Sequence, residues 1–383
     1  MAEIPRRAKA LRSEVTADAK VRLYLEEVDV PLPGEGEVLV RVEAAPINPS
    51  DIGLLFAGAE LDKAAAATPS AGTPGGDGPE LTLPLPEAAA RASAARVGQP
   101  MPAGNEGAGT VVAAGPDAES AALVGKVVAV AGGGMYSQYR LARSADCLVA
   151  PEGLGARDVA SSFVNPMTVL GMVETMRSEG HSALVHTAAA SNLGQMLQRV
   201  CTEEGIPLVN IVRSAEQAGI LAQIGAERVC DSSRDDFMRG LVEAVKETGA
   251  TLCFDAIGGG TMASRVLSAM ESAASAGAGF SRYGSAVHKQ VYIYGSLDRR
   301  PTELTRSYGM AWGVGGWLLT SFLAKVGPEA VGRMRRRVAA GITTTFASSY
   351  SETVTLAGAL DPEVAAAYGR QATGRKYLIL PNG

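Results

Sequence analysis

Short apolar segments alternate with longer segments of helical composition through the middle of the chain. Strands that alternate with helices at such lengths form right-handed βαβ units, whose parallel sheet is covered by helices on both faces. The pattern therefore predicts a doubly wound α/β domain. Strands are predicted at 182–186, 207–212, 227–230, 251–256 and 291–295, and helices at 194–204, 215–224, 235–248 and after Gly260.

The turn that follows the first strand, HTAAASNLG, decides whether this sheet is expected to bind a dinucleotide. The register of the G-x-G-x-x-G motif falls on Ala189, Ser191 and Gly194, so only the third glycine is present. Ala and Ser are small enough to let a backbone approach a pyrophosphate, and the third glycine allows helix and strand to pack closely. Ser191 and Asn192 also suit a helix N-terminus. With Leu193 they predict a phosphate-binding turn, and the alternative is a tight turn without a ligand.

The second strand ends in VNIVRS, where a dinucleotide fold contacts the adenosine ribose. NAD-preferring sites place Asp or Glu there, whereas Arg can hold a 2′-phosphate. Arg213 and Ser214 therefore favour NADPH, and the alternative is a surface arginine at a strand end. Two further strands end in the small residues of FDAIGGG and YIYGSL. Because a cofactor lies at the carboxyl ends of such strands, we predict contacts from Gly258, Gly295 and Ser296.

The first part of the chain has a different character. EVLVRVEAAPIN, GAGTVVAAG and GKVVAVAGGG are short runs rich in valine and punctuated by glycine, typical of a compact β domain. We predict this domain at 1–155, the dinucleotide-binding domain at 156–325, and a return to the β domain at 326–383. Residues 57–102 are predicted to be a surface insertion of mixed order, with TPSAGTPGGDGP as a linker and PEAAARASAAR as a short helix. This insertion is either part of a lid or pocket wall that sets substrate size, or a flexible surface excursion without function.

The bulk composition argues against several classes of partner. A net charge of −5 is unfavourable for a nucleic-acid-binding protein. The four cysteines form no C-x-x-C pair, which is typical of buried thiols in a reducing compartment. The N-terminal MAEIPRRAKA lacks the apolar region of a signal peptide, and the apolar segment near residue 315 is too short to span a membrane. We therefore expect a cytoplasmic protein with no nucleic-acid or membrane partner.

The order of the motifs resembles that of the medium-chain dehydrogenase/reductase superfamily. GEVLVRVEAAPINPSD is followed by GNEGAGTVVAAG, then by the dinucleotide-binding unit, and finally by the return segment TGRKYLIL. The resemblance covers nearly the whole chain apart from 57–102. It implies a Rossmann-type doubly wound parallel sheet with a GroES-like β-rich catalytic domain, an oxidoreductase activity with NADPH, and a homodimer joined through the Rossmann sheets.

Zinc-dependent alcohol dehydrogenases of this superfamily bind their catalytic metal through Cys, His and Cys. The corresponding positions in this chain are Asn48, Asn105 and a third position at or near Val164. Two amides and a valine cannot supply thiolate and imidazole ligands, so we predict no metal site. GNEGAG and VNPMTVLGM instead resemble the zinc-free branch, namely NADPH:quinone oxidoreductases and 2-enoyl thioester reductases.

Without a metal, negative charge that develops on a conjugated oxygen needs preorganised hydrogen-bond donors. Asn48 is the leading candidate, and its alternative role is to cap the turn before Pro49. Tyr308, in RSYGMAW, is a second candidate, and its alternative role is to pack beside Trp312.

The resemblance also implies contacts with the cofactor from residues outside the phosphate-binding turn. Asn165 and Thr168, in VNPMT, are expected at the nicotinamide end, where helix capping is an alternative role. Lys376, in the return segment, is also expected to bind the cofactor.

One departure from the resemblance concerns the proton donor. In 2-enoyl thioester reductases a tyrosine soon after the INPSD-like segment has this role, but this chain has Phe56 in that region and no tyrosine between the segment and Tyr136. Either another group donates the proton or enoyl-thioester reduction is not the reaction. We expect an NADPH-dependent, zinc-independent reductase of a small electrophile, either a quinone or an activated double bond. The alternative is a catalytically silent NADPH-binding structural or sensing protein of the same fold.

Overall fold

A computed structural model describes residues 4–67, 78–277 and 279–383. The chain divides into two compact units: unit 1 comprises Met1–Val164 and Val338–Gly383, and unit 2 comprises Asn165–Arg337. The boundaries predicted from the sequence, 155/156 and 325/326, lie several residues earlier. In the described ranges, no helix has the length and apolar character needed to cross a membrane.

The elements are numbered in chain order. The strands are β1 (Arg7–Val15), β2 (Lys20–Asp29), β3 (Glu37–Pro46), β4 (Ala65–Ala67), β5 (Glu80–Pro84), β6 (Met101–Pro102), β7 (Glu106–Ala114), β8 (Val127–Ala131), β9 (Tyr139–Arg143), β10 (Leu148–Val149), β11 (Leu184–His186), β12 (Leu208–Val212), β13 (Val229–Asp231), β14 (Leu252–Asp255), β15 (Gly258–Gly260), β16 (Lys289–Ile293), β17 (Asp298–Thr302), β18 (Trp312–Gly316), β19 (Glu352–Thr355) and β20 (Tyr377–Leu380). The α-helices are α1 (Pro49–Phe56), α2 (Glu87–Ala92), α3 (Ala118–Ala121), α4 (Ala156–Val159), α5 (Val164–Ser178), α6 (Asn192–Glu204), α7 (Ala215–Gln223), α8 (Phe237–Thr248), α9 (Met262–Ala274), α10 (Leu319–Ala340, kinked at Gly327) and α11 (Pro362–Gly369).

Unit 1 is the β-rich unit. One sheet has the strand order β4-β5-β2-β1-β6, and a second has the order β10-β8-β7-β3-β20-β19, with β9 also paired to β3. The fully buried Val38, Val40 and Val42 share one face of β3, because successive side chains of a strand point to opposite faces. The C-terminal strand β20 pairs with β3, so the end of the chain completes this sheet.

The structure corrects the prediction for residues 57–102. β5 pairs antiparallel with β2 over five residues, and Leu81 and Leu83 are fully buried in the core of unit 1. This part of the segment is therefore an internal strand and not a surface excursion or a lid. The short helix predicted in PEAAARASAAR is present as α2. The predicted linker TPSAGTPGGDGP lies, apart from its last two residues, outside the described residues.

Unit 2 contains the predicted doubly wound sheet. Its six strands follow the order β13-β12-β11-β14-β16-β18, and every neighbouring pair is parallel. In order of appearance this is 3-2-1-4-5-6, the arrangement of dinucleotide-binding folds, in which the chain changes direction between the first and fourth strands. The Rossmann-type fold predicted from the alternation of strands and helices is confirmed. Its core packs the sheet against α8 and α9 through residues such as Val185, Leu241 and Val266.

Candidate functional site

The turn between β11 and α6 lies beside the switch point of the parallel sheet. Ser191 caps α6, and its hydroxyl accepts a hydrogen bond from the backbone N–H of Gly194 at 3.1 Å. A β-carbon at Gly194 would lie 2.2 Å from the carbonyl oxygen of Ala189, so no larger residue fits there. This close approach of helix to turn is the role of the third glycine of the dinucleotide motif. The 13-residue helix directs the positive end of its dipole at this turn.

A buried pair fixes the ends of the two central strands beside this turn. The Thr187 hydroxyl donates to Asp255 at 2.7 Å and accepts from the backbone N–H of Ala256 at 2.8 Å. Asp255 also accepts the backbone N–H groups of Ile257 and Gly258, at 2.9 and 3.2 Å. We missed this pair in the sequence, although an aspartate at the end of an apolar strand was a visible signal.

The predicted small residues at the other strand ends lie at close backbone crossings. A β-carbon on Gly258 would lie 2.7 Å from the carbonyl oxygen of Gly295, and one on Gly295 would lie 2.5 Å from that of Ala256. Gly295 and Ser296 also line an open cavity of about 430 Å³ at the carboxyl ends of β16 and β18, together with Trp317. Glycine is therefore required at Gly258 and Gly295, because a side chain at either position would collide with the neighbouring backbone.

Arg213 and Ser214 follow β12. Arg213 is exposed, and within the described ranges its guanidinium forms no ion pair. Ser214 caps α7 by accepting the backbone N–H of Gln217 at 3.3 Å. Asn165 and Thr168 are buried in the first turns of α5, also in unit 2. Their contacts with a cofactor stay predictions.

Unit 1 contains a buried polar cluster built from the motifs INPSD and GNEG. The two carboxylate oxygens of Asp51, the third residue of α1, each accept a backbone N–H, from Asn48 and from Asn105, both at 2.8 Å. One buried carboxylate therefore holds the two motif loops together. Burial raises the pKa of Asp51 to about 7, against the opposing effect of these two hydrogen bonds.

Glu106, at the start of β7, orients the side chain of Asn48. One of its oxygens accepts the Nδ2 of Asn48 at 2.8 Å, and the other accepts the backbone N–H groups of Phe163 and Val164 at 2.8 and 3.0 Å. Asn48 occupies the N-cap position of α1, but its side chain makes no capping hydrogen bond. Its Oδ1 is buried and has no hydrogen-bond partner among the described residues. One Nδ2 hydrogen and this oxygen remain for a ligand.

Lys376 adds a positive charge to the same unit. Its Nζ donates to the hydroxyl of Ser161 at 2.8 Å, and that hydroxyl is 2.8 Å from the hydroxyl of Tyr350. Burial lowers the pKa of Lys376 to about 8, although the charges of Glu106 and Asp51 oppose this shift. Burial likewise raises the pKa of Glu106, and the charge of Lys376 partly offsets that rise. The sequence alone did not indicate Ser161 or Tyr350.

The three positions that correspond to metal ligands in alcohol dehydrogenases come together here. Asn48 and Asn105 are both bonded to Asp51, and Val164 is bonded through its backbone to Glu106. Within the described part of the chain, His, Cys, Asp and Glu form no group of three that could hold a metal ion.

Burial defines the surroundings of two side chains of unit 2. Tyr308 is fully buried in the core of unit 2, where its ring packs edge-to-face on Trp312 at 5.0 Å. This packing is the alternative role that the sequence left open for Tyr308, and its role as a donor stays a prediction. His186 is also buried, with Nε2 2.7 Å from the hydroxyl of Tyr294, and burial lowers its pKa to about 3.

Comparison with known proteins places these features among reductases, although no protein-family profile matches the chain. The chain is 28% identical over 215 residues to the mitochondrial enoyl-[acyl-carrier-protein] reductase of Xenopus tropicalis, covering 54% of this chain and 51% of that protein. It is 26% identical over 231 residues to prostaglandin reductase-3 of Bos taurus, covering 60% and 52% of the two chains. The chain thus spans about half the length of the curated relatives it matches.

The fold of the whole chain matches a solved structure. The crystal structure of a candidate NADPH:quinone reductase from Mesorhizobium loti superposes with a TM-score of 0.72 and 27% identity, covering 99% of this chain and 100% of that chain. The predicted fold class, a Rossmann-type sheet plus a GroES-like β-rich domain, is confirmed by this match. The resemblance of this chain to the quinone and enoyl-thioester reductases of the medium-chain dehydrogenase/reductase superfamily is confirmed as well.

Proposed function

We propose that this protein is an NADPH-dependent reductase that transfers hydride, without a metal, to a small electrophile, either a quinone or an activated double bond. The observation that carries the proposal is the turn at Gly194, where helix α6 approaches Ala189 so closely that a β-carbon is excluded. This turn adjoins the switch point of a 3-2-1-4-5-6 sheet, the position at which such folds bind the pyrophosphate of a dinucleotide.

The described residues of unit 2 fit NADPH. The segment Ser191–Gly194 would hold the pyrophosphate, and the exposed guanidinium of Arg213 would pair with the 2′-phosphate. Gly258 and Gly295 would leave room at the strand ends for the ribose and nicotinamide. When bound, NADPH supplies a hydride to an electrophilic carbon.

In unit 1, Asn48 is the proposed contact to the oxygen that gains negative charge. Glu106 holds the amide in one orientation, so the remaining Nδ2 hydrogen is positioned before the reaction begins. The buried Oδ1 of Asn48 would accept a hydrogen bond from a ligand N–H or O–H, because burying an unpaired oxygen is costly. The amides of Asn48 and Asn105 and the apolar Val164 replace the thiolate and imidazole ligands that zinc requires, which supports a metal-free reaction.

A second copy of the chain is the proposed macromolecular partner. β18 is the edge strand of the parallel sheet and pairs with β16 on one side. An edge strand exposes unpaired backbone groups that can bond to another chain, which supports a homodimer. Sedimentation velocity should give the mass of a dimer, and a monomer at micromolar concentration would contradict this assignment.

The activity is tested by following NADPH oxidation with crotonyl-CoA, an enone and a water-soluble quinone. We expect turnover with at least one of these, and we expect Asn48→Ala to lower kcat by about 10²-fold while the Kd for NADPH changes little. Gln99→Ala, which removes an exposed amide, is the matched control and should behave like the wild type. NADPH binding without turnover of any electrophile would support the silent binding protein instead.

A further inference from the structure

We propose that Lys376 is the proton donor of the reduction and that Ser161 and Tyr350 form the chain that restores its proton. This proposal rests on the proposed reductase function and names the acid that the missing tyrosine leaves unassigned. Phe56 is the aromatic residue that follows the INPSD segment in this chain. It is buried and stacks on Tyr368 at 5.6 Å, so no hydroxyl is present at this position.

The hydrogen bonds of the unit 1 cluster leave uncommitted protons on Lys376. Asp51 and Glu106 use their oxygens to accept N–H groups. The hydroxyl of Tyr136 donates to the carbonyl oxygen of Pro46 at 3.0 Å. Lys376 has three N–H donors and gives one of them to Ser161. Two of its N–H donors therefore have no acceptor among the described residues, and the lysine can release one of these protons to a substrate.

A chain of two hydroxyl groups leads away from Lys376 and could replace the proton that the lysine gives up. The hydroxyl of Ser161, a residue only 3% exposed, lies 2.8 Å from both the lysine Nζ and the Tyr350 hydroxyl. A serine hydroxyl both donates and accepts, so it can pass a proton between its two neighbours. Tyr350 is partly exposed and is the proposed link from this chain to solvent.

The charges around this chain favour an acid that works near neutral pH. Glu106 from β7 and Asp51 from α1 act on Lys376, and Arg157 and Asp158 of α4 act on Tyr350. Burial lowers the pKa of Lys376 to about 8, within reach of the pH at which a general acid is most efficient. Burial raises the pKa of Tyr350, so its hydroxyl keeps its proton at neutral pH.

The step balances for a conjugated carbonyl substrate. Hydride from NADPH forms a C–H bond at the β-carbon, the C=C π bond breaks, and its electron pair passes to the carbonyl oxygen as an enolate. An N–H bond of the Lys376 ammonium then breaks as the α-carbon takes the proton. The substrate gains two electrons and two hydrogens, and NADPH is oxidised to NADP⁺. The neutral amine recovers a proton from solvent through Tyr350 and Ser161.

The proton route is tested by reducing crotonyl-CoA with NADPH in D₂O. The wild type should place deuterium on one face of the α-carbon. Lys376→Met should lower kcat by about 10²-fold or more and distribute deuterium over both faces, because solvent then supplies the proton. Lys376→Arg keeps the charge but holds its proton too tightly, so it should fold normally and show the same loss. Lys126→Met, at an exposed lysine, is the matched control.

A second measurement needs neither cofactor nor substrate. Lysines are ¹³C-methylated, and the NMR signal that is missing in Lys376→Met is titrated. It should titrate near pH 8, and its midpoint should move in Ser161→Ala and Tyr350→Phe. A midpoint at the ordinary lysine value would overturn the proton route.

The outcomes separate this proposal from the function on which it rests. Failure of the wild type to reduce any electrophile with NADPH would overturn the proposed function and the proton route together. Reduction with one-faced deuterium in both Lys376→Met and Lys376→Arg would overturn the proton route alone.

Discussion

Two of the described lysines lie in carboxylate surroundings, and they are arranged in opposite ways: Lys289 is fully buried, whereas Lys376 is partly exposed. Lys289 of unit 2 is fully buried, and its Nζ donates to Glu271 at 2.6 Å, to the carbonyl of Val287 at 2.8 Å and to Ser285 at 3.1 Å. All three N–H donors are therefore in use. Burial alone would raise the pKa of Glu271, but the bonds from Lys289 and Ser285 outweigh it and lower that pKa to about 2.

Lys376 of unit 1 has one hydrogen bond and forms no ion pair with a carboxylate among the described residues. Glu106 and Asp51 act on it through space, and burial lowers its pKa to about 8. A lysine that only stabilises a fold is expected to have its charge fully paired, as Lys289 does. A lysine that keeps protons uncommitted and a lowered pKa has the properties of a functional group.

The largest expected effect is the loss of stability on removing the counter-charge of Lys289, the fully paired lysine. Glu271→Gln should destabilise the protein by about 3–5 kcal/mol, because it leaves the ammonium of Lys289 buried without its counter-charge. Chemical denaturation measures the loss. The double variant Glu271→Leu with Lys289→Met removes both charges and should recover much of the stability. A loss in the double variant equal to that in the single variant would contradict the assignment to an unpaired charge.

The same pair predicts a dependence of stability on acid. The pKa of Glu271 is lowered on folding from 4.5 to about 2, so its stabilising contribution is present above pH 4.5 and is lost as the pH falls toward 2. The shift corresponds to about 3 kcal/mol. The difference in unfolding free energy between the wild type and Glu271→Gln should therefore shrink over this range. A difference that stays constant from pH 6 to pH 3 would rule out this linkage.

An intermediate effect is expected at Glu106. Glu106→Gln should cost about 1–3 kcal/mol, because an amide can accept only on its oxygen and its NH₂ then faces one of the N–H donors. The amide of Asn48 also loses its fixed orientation, so kcat should fall more than the affinity for NADPH. Parallel measurements of unfolding, Kd and kcat check this. Equal losses in kcat and NADPH affinity would argue against a positioning role.

The smallest effect on stability is expected at Lys376. Lys376→Met should cost less than about 1 kcal/mol near pH 7, because the fold already holds this ammonium at a cost. The folded pKa, about 8, lies below the unfolded value of 10.5, so that cost is present below pH 8 and is relieved as the pH rises to 10.5. The stability of the wild type relative to Lys376→Met should therefore rise across this window. A loss of stability as large as that expected for Glu271→Gln would contradict the contrast between the two lysines.

Much of unit 2 was predictable because its signals are local. Strand and helix periods fixed the order of elements, and one glycine in the right register identified the turn at Gly194. Local signals failed where a residue type is found both in cores and in active sites. The sequence around Tyr308 and Trp312 did not indicate how deeply Tyr308 is buried. The alternation of Leu81, Leu83 and Leu85 did indicate β5, but the Ala/Gly/Pro-rich composition around it obscured the pattern.

The unit 1 cluster depends on contacts between residues far apart in the chain. Ser161 meets Lys376 and Tyr350 across 215 and 189 positions, and no spacing rule connects such residues. Asp51 and Glu106 belong to the motifs INPSD and GNEG, which were already singled out from the sequence. An acidic residue within an apolar segment was the signal that could have indicated their burial. Asn48 was singled out from the sequence, but the orientation of its side chain depends on Glu106 and so required the structure.

The central claim, that this chain uses NADPH, is tested most directly by fluorescence titration of the protein with NADPH and with NADH. We predict that NADPH binds at least tenfold more tightly and that Arg213→Glu abolishes this preference, because the exposed guanidinium at the end of β12 would pair with the 2′-phosphate. Absence of binding by either nucleotide would contradict the account, since the turn at Gly194 would then be a structural turn without a ligand.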